Sequence, residues 1–276
     1  MVDIVLSRIC VYPIKGCGGT EVREAQMYER GLWYDRRWML AYEEGPNLHQ
    51  LAFPQLATIR AFVTDDCLQV RAPGMPLLSV PLEPQWNARP LAVQWFEGRC
   101  KALPVSDKVD EWFRDFLHVR CRLVFLTEDT RRSVMPEYTI KQEQLSFTSY
   151  QYHLLSEESL GDLNRRLAMP VPMDRFRPNL VVAGAEAFAE DGWKTIKIGN
   201  HTFQTVRACD RCAITTVDQA RGIMTGKEPL ATLARYRTFG KKVLFGQYLF
   251  GEGSGTIRVG DTVQVLEYQE PPGVAM

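Results

Sequence analysis

Several features that would classify a chain at a glance are missing here. There is no net charge: 33 Lys and Arg balance 33 Asp and Glu. No overall basic field therefore draws the protein to nucleic acid or an anionic membrane, and any anionic ligand must be held by a few local cations. No run of about eighteen apolar residues occurs, so no spanning helix is expected. The opening Met1-Val2-Asp3-Ile4 reads as a strand and lacks the basic-then-apolar pattern of a secretory signal. Histidine is scarce and scattered, with four in 276 residues. The seven cysteines are an odd number, at 10, 17, 67, 100, 121, 209 and 212, and only the last two are close. That excludes a disulfide framework and points to a reducing cytoplasm. Internal repeats and low-complexity linkers are also absent.

What is present suffices for a substantial core. The chain is 45% apolar and 11% aromatic, and its length allows one large domain or two ordinary ones. Short β-like runs dominate, at 4–12, 37–42, 57–63, 67–71, 91–95, 122–126, 179–183, 196–198, 203–208 and 257–259. Gly, Pro, Asn and Asp punctuate them at intervals typical of barrels and sandwiches rather than βαβ units. Three helices are predicted, at 106–118, 156–167 and 228–237. The first places Val109, Trp112, Phe113, Phe116 and Leu117 on one stripe behind a Ser/Asp cap. The second has Glu157 and Glu158 in its first turn, and the third has Pro229 near its start. The expected class is mainly β (α+β), with two adjoining β-barrel-like units and a few packing helices. The units are 1–125 and 126–268, divided where the polar stretch 128–143 begins, followed by a tail at 269–276.

The most specific local feature is Arg207-Ala208-Cys209-Asp210-Arg211-Cys212, followed by Ala213-Ile214-Thr215-Thr216-Val217-Asp218. Gly199-Asn200 marks a two-residue hairpin upstream, so the returning strand delivers both thiols to a strand end. Arg207 and Arg211 are expected to favour thiolate over thiol, the form that binds soft metals. Zinc would need two further ligands, and no second close pair supplies them. A thioredoxin-like dithiol would sit before a helix, whereas 213–217 reads as continuing β. A pair of buried structural cysteines remains the plain alternative, and it fits poorly beside two arginines and an aspartate.

That run resembles the Cys-x-Arg-Cys-x-x-Thr-Thr-Val-Asp signature of MOSC-domain proteins. The likeness extends to Lys227-Glu228-Pro229-Leu230, Phe245-Gly246-Gln247-Tyr248, Gly255–Asp261 and Phe176-Arg177-Pro178-Asn179, followed by Trp193. Val11-Tyr12-Pro13-Ile14-Lys15 and Asp35-Arg36-Arg37-Trp38 resemble the N-terminal β-barrel region paired with such domains. The two-part layout resembles the mitochondrial amidoxime-reducing component and its bacterial relatives, which bind molybdopterin and reduce N-hydroxylated compounds. The resemblance implies that Cys212 is the thiolate ligand to molybdenum, and it leaves Cys209 as a structural neighbour. Lys15, Arg36 and Arg177 match positions that line the cofactor pocket, and Thr148 and Ser149 align with the polar loop at its phosphate end. Asn179 and Arg211 are further candidates. A dithiolene supplies two sulfurs, and one protein thiolate completes a soft ligand set. The pterin phosphate calls for cations and N–H donors.

The implied activity is removal of oxygen from N-hydroxylated small molecules such as amidoximes and N-hydroxylated bases. No flavin, haem or iron–sulfur motif is present, so an external electron-transfer protein and its reductase are the implied partners, without nucleic acid or membrane. Two alternatives are a sulfur-transfer protein for the cofactor, with persulfide on the thiolate, and a non-catalytic cofactor carrier. The sequence departs from the family at Gly16, where Ser is frequent, and at Thr148 and Gln151, where Asp and Pro are frequent. The anchoring extension of eukaryotic relatives and the appended ferredoxin domain of some bacterial ones are expected to be absent.

Overall fold

A computed structural model describes residues 3–43, 45–82, 88–95, 98–132 and 144–273. Most of the polar stretch at 128–143, together with 274–276 of the tail, lies outside the described residues. Among those described, the chain is mainly strand, with three α-helices and several short 3-10 turns. The largest sheet runs in the order Val263–Tyr268, Trp193–Ile198, His201–Asp210, Lys242–Gly251, Tyr152–Ser156, Leu180–Ala183, Val5–Val11 and Thr20–Val22. A second sheet runs Leu91–Trp95, Gly98–Pro104, Cys121–Phe125, Trp38–Tyr42 and Ile14–Lys15. Among the described residues neither sheet closes as a full barrel, which corrects the expectation: in the larger one the two ends of the chain meet only in a bridge of Val5 with Thr262, beside Val263 N donating to Ile4 O at 2.7 Å.

The first strand, although N-terminal, is a member of the C-terminal sheet. Ile9 pairs with Leu180 on one side and Val22 on the other. The turn that follows then enters the second sheet, where Ile14 lies parallel to Trp38. Residues 5–22 thereby tie the two sheets together, and Lys15 and Gly16 sit at the tie.

Each core follows from strand alternation. One gathers Trp38, Leu40, Leu56, Val70, Phe113 and Leu123; the other gathers Leu6, Ile9, Leu154, Leu180, Phe203 and Leu249. A fully buried side chain of this kind contributes roughly 1.5–3 kcal/mol of transfer free energy.

The predicted helices form within one or two residues of their expected ends. Helix α1 spans Asp107–Leu117, with the Ser106 hydroxyl accepting from Val109 N at 3.3 Å and His118 closing it in the left-handed region. Helix α2 spans Glu157–Arg166, capped by Ser156, and crosses between the parallel strands Tyr152–Ser156 and Leu180–Ala183. Helix α3, Leu230–Tyr236, starts after Pro229. Several segments differ from the reading; strands at Glu24–Tyr28, Leu78–Pro81, Gly98–Pro104, Tyr152–Ser156 and Val263–Tyr268 also lie outside the expected runs. Residues 54–58 form a 3-10 turn opened by Pro54, and the strand begins only at Arg60. The ten-residue strand Lys242–Gly251 was not anticipated. Its glycines look like turn residues, but Gly246 is required by close approach: a Cβ there would lie 2.5 Å from His153 Nε2 and 2.8 Å from Leu154 O.

Asp110 is fully buried on the inner face of α1, and its Oδ1 accepts Leu123 N at 2.8 Å. Its Oδ2 has no hydrogen bond, with Arg114 and Arg122 at 3.8 and 3.9 Å. Burial outweighs those cations and raises the carboxyl from 3.8 to about 6. The folded state therefore holds a proton that the unfolded state releases, and stability falls as pH rises from about 4 to about 6. Asp110→Asn keeps the acceptor and removes the charge. It should raise stability above pH 6.5 by up to about 3 kcal/mol and change it little at pH 4. Urea unfolding at both pH values checks this; an equal effect at the two, or a loss at the higher, would contradict it.

Candidate functional site

The cysteine pair leaves the strand His201–Asp210, whose register with Lys242–Gly251 shifts between Ala208 and Asp210. Arg211 N then donates to Val243 O at 2.7 Å. This irregularity gives the two thiols opposite environments: Cys209 is buried at 1% exposure, whereas Cys212 is exposed. After Cys212 the chain turns into a 3-10 segment, Ala213–Thr216, and does not continue as β. The Cys212 carbonyl anchors that turn, accepting from Thr215 N at 3.2 Å and Thr215 Oγ1 at 3.0 Å. Short hydroxyl side chains that bond back to nearby backbone favour such turns over a strand.

The two arginines act differently from the expectation. Arg207 donates to Asp210 Oδ1 at 2.7 Å. Arg211 turns to the buried sulfur, with Nη1 2.7 Å from Cys209 Sγ. Burial nonetheless pushes the Cys209 thiol up, against the lowering effect of Arg211 and the Tyr248 hydroxyl. Among the described residues no group of three or more His, Cys, Asp or Glu is gathered as a metal-holding set, so the pair finds no further zinc ligands there.

A second cluster is built where the first strand meets the Asp35-Arg36 turn. The guanidiniums of Arg36 and Arg177 lie 4.7 and 4.4 Å from the centroid of the buried Tyr12 ring. Tyr12 itself is held by Asp35 Oδ1 on its N–H at 2.8 Å and donates its hydroxyl to Pro178 O at 3.1 Å. Arg36 pairs with Asp35 and donates to Asn179 Oδ1 at 3.0 Å. Arg36 and Arg177 both have positive φ, +53° and +55°, a region few non-glycine residues occupy and one that concentrates at functional sites.

Charge is unevenly distributed in this cluster. Asp35 accompanies Arg36, but among the described residues Arg177 makes no ion pair; its Nη1 donates to Cys17 O at 2.6 Å. Burial lowers the Arg177 guanidinium to about 10. A largely buried cation without a carboxylate is costly unless an anion meets it.

Lys15 reaches the same place from the tie between the sheets. Its Nζ donates to Phe147 O at 3.0 Å, while Phe147 N donates to Arg36 O at 2.9 Å. The polar loop at 147–149 is thereby fixed beside both cations. Thr148 Oγ1 donates to Tyr150 O at 3.2 Å, and Arg132 Nη1 donates to Thr148 O at 3.2 Å. Ser149 makes no side-chain hydrogen bond among the described residues. Asn179 is a buried junction: Oδ1 accepts from Arg36 and from His153 N at 3.3 Å, and Nδ2 donates to Cys10 O at 3.1 Å.

The structure thus brings Lys15, Arg36, Thr148, Arg177 and Asn179 together. Arg211 joins them by donating Nη2 to Phe176 O at 2.8 Å, one residue before Arg177. Cys212 makes no side-chain hydrogen bond to the other cations among the described residues; its link to them runs through Arg211. Sequence reasoning did not single out Tyr12, Asp35, Arg132, His153 or Tyr248. Tyr12, Asp35 and Tyr248 lie inside the quoted motifs, whereas Arg132 and His153 had no signal. The departures from the family also have local explanations. Gly16 has φ +85°, where serine would be strained. The buried Gln151 donates to Glu29 O at 2.6 Å and accepts from Gly251 N at 3.0 Å, and proline can do neither.

Comparison with known proteins agrees with this layout. The MOSC domain model matches residues 141–264, and that of the MOSC N-terminal beta barrel domain matches residues 3–120. The mitochondrial amidoxime-reducing component 1 of Mus musculus is 35% identical over 278 residues, covering 95% of this chain and 82% of that protein. Its Homo sapiens counterpart is 34% identical over 283 residues, with 95% and 82% covered. A molybdenum cofactor sulfurase from Oryza sativa is 35% identical over 266 residues, covering 88% of this chain and 32% of that longer protein. A neutral chain that gathers cations at the junction of two β layers, and carries one exposed thiol of a Cys-x-Arg-Cys turn, therefore belongs to the MOSC-domain family, in the two-part form shared with the mitochondrial amidoxime-reducing components.

Proposed function

We propose that this protein is a molybdenum-cofactor reductase that removes oxygen from N-hydroxylated compounds. The observation that supports it is an exposed Cys212 thiol together with a cluster of cations in which Arg177, among the described residues, has no carboxylate partner. This donor set fits the group: one soft ligand for the metal, and guanidinium and ammonium donors for a phosphate. Cys212 would ligate molybdenum, while Lys15, Arg36 and Arg177 would meet the phosphate end with Thr148 and Ser149. Arg211 and Asn179 hold the backbone on which Arg177 is carried. Once bound, the cofactor supplies the two-electron chemistry that cleaves an N–O bond. The protein's own part is to bind, to orient and to keep the pterin's charge neutralised away from the open thiol side. The electrons come from an external carrier served by its own reductase, and the substrate is an amidoxime or N-hydroxylated base. We place the protein in the cytoplasm; no described helix is long and apolar enough to cross a membrane.

The test is conversion of benzamidoxime to benzamidine by molybdenum-loaded protein with reduced viologen as donor. Turnover is expected with viologen and not with NADH alone, and it should depend on Cys212. Protein that carries stoichiometric molybdenum, accepts electrons and leaves amidoximes and N-hydroxylated bases untouched would refute the reductase reading. The exposure of Cys212 also suits a persulfide carrier, the role suggested by the sulfurase relative. A persulfide found on Cys212 by mass spectrometry, without molybdenum, would favour that reading.

A further inference from the structure

The buried polar groups beneath the cysteine turn form a cluster that the proposed reaction leaves without a role. Arg211 carries a buried guanidinium, and among the described residues no carboxylate pairs with it. Its partners are Cys209 Sγ at 2.7 Å, Phe176 O at 2.8 Å and, at 3.5 Å, His153 Nε2. Tyr248 lies beside the same thiol and is held by Tyr150, stacked at 4.3 Å. Cys209 Sγ therefore receives the Arg211 guanidinium and turns its own hydrogen toward Asp210 O, 3.9 Å away. His153 packs in the cluster as a neutral ring, its pKa driven well below the ordinary value by burial and by Arg211. Arg36 Nη2 reaches the carbonyl of Arg177 at 3.5 Å, while Arg211 takes the carbonyl of Phe176. Two consecutive carbonyls are thus pinned just where Arg177 adopts φ +55°.

We propose that Cys209 is a positioning residue: its sulfur holds the Arg211 guanidinium across the cluster, so that Arg211 fixes both the Cys212 turn and the Arg177 turn in one geometry. A guanidinium donor aimed at the sulfur from 2.7 Å is what distinguishes this from a thiol that merely fills space. Without the acceptor, one buried N–H of Arg211 loses its partner, and the guanidinium swings or draws in water. The Phe176 carbonyl is then released, and the Arg177 guanidinium loses its fixed direction. Serine preserves an acceptor in place of sulfur and alanine does not, so the two substitutions separate hydrogen bonding from volume.

The proposal rests on the cofactor reading for its consequence, but its geometry is testable without cofactor. Hydrogen exchange of the purified protein should be faster in Cys209→Ala at residues 174–178 and 211–216, and should return toward the parent in Cys209→Ser. Arg211→Lys, which retains charge but cannot reach sulfur and carbonyl together, should show the same release and serves if the alanine variant does not fold. In molybdenum-loaded protein, Cys209→Ala should shift the electron paramagnetic resonance signal of the partly reduced metal and lower cofactor affinity by about tenfold, as loss of a supporting contact does. Serine should restore the signal. An alanine variant indistinguishable from the parent in exchange and signal, or a serine variant no better than alanine, overturns the proposal. A parent protein that shows the exchange pattern but never retains molybdenum would instead count against the cofactor reading alone.

Discussion

Replacing Cys212 with serine is expected to abolish amidoxime reduction while leaving the unfolding temperature unchanged. The two halves of that result have separate causes. Cys212 is exposed, and its backbone, not its side chain, anchors the following turn through Thr215. Exchanging sulfur for oxygen there removes no core contact, and surface substitutions of this kind change stability by less than about 0.5 kcal/mol. The chemistry is far more sensitive, because a serine hydroxyl is a harder and more weakly acidic ligand than a thiolate for a metal already held by dithiolene sulfur. Cys209→Ser should retain much of the activity, since its sulfur faces Arg211 and Tyr248 inside the protein. Turnover, molybdenum content and thermal unfolding measured on both variants decide the assignment. Activity that survives in Cys212→Ser and vanishes in Cys209→Ser would place the ligand on the other cysteine.

Arg177→Ala and Lys15→Ala are expected to lower cofactor occupancy much more than the rate per bound molybdenum. Each removes a charge-assisted contact to an anionic ligand, about 1.5–3 kcal/mol, or roughly 10- to 150-fold in affinity. Arg177 should show the larger effect. Its guanidinium is lowered to about 10 by burial and has no carboxylate beside it among the described residues, so an anion there relieves the larger cost. Alanine at 177 faces the same left-handed backbone as arginine does, so no new strain confuses the outcome. Metal analysis after loading at limiting cofactor, together with turnover per molybdenum, separates binding from catalysis. Equal molybdenum content in both variants and the parent would remove these residues from the pocket.

The sequence by itself determined the β-rich class, the three helices, two of them with serine caps, the hairpin at Gly199-Asn200 and the family, because each is encoded within a few neighbouring residues. Local chemistry suffices for a cap or a two-residue turn, and the Cys-x-Arg-Cys run is read the same way. Tertiary structure decided what depends on contacts between distant segments. Lys242–Gly251 is a strand because it pairs with Tyr152–Ser156 on one side and His201–Asp210 on the other, and Gly246 is the residue that lets His153 and Leu154 approach, a demand that its glycine-punctuated composition conceals. Residues 213–216 turn because the pairing of the preceding strand with 242–251 breaks register at Asp210. The first strand joins the C-terminal sheet because its partners are chosen across more than 150 residues. The difference between the thiols has the same origin. Three residues apart and flanked by the same arginines, Cys209 is buried against Arg211 and Tyr248 while Cys212 faces solvent, and only the fold sets which direction each one points.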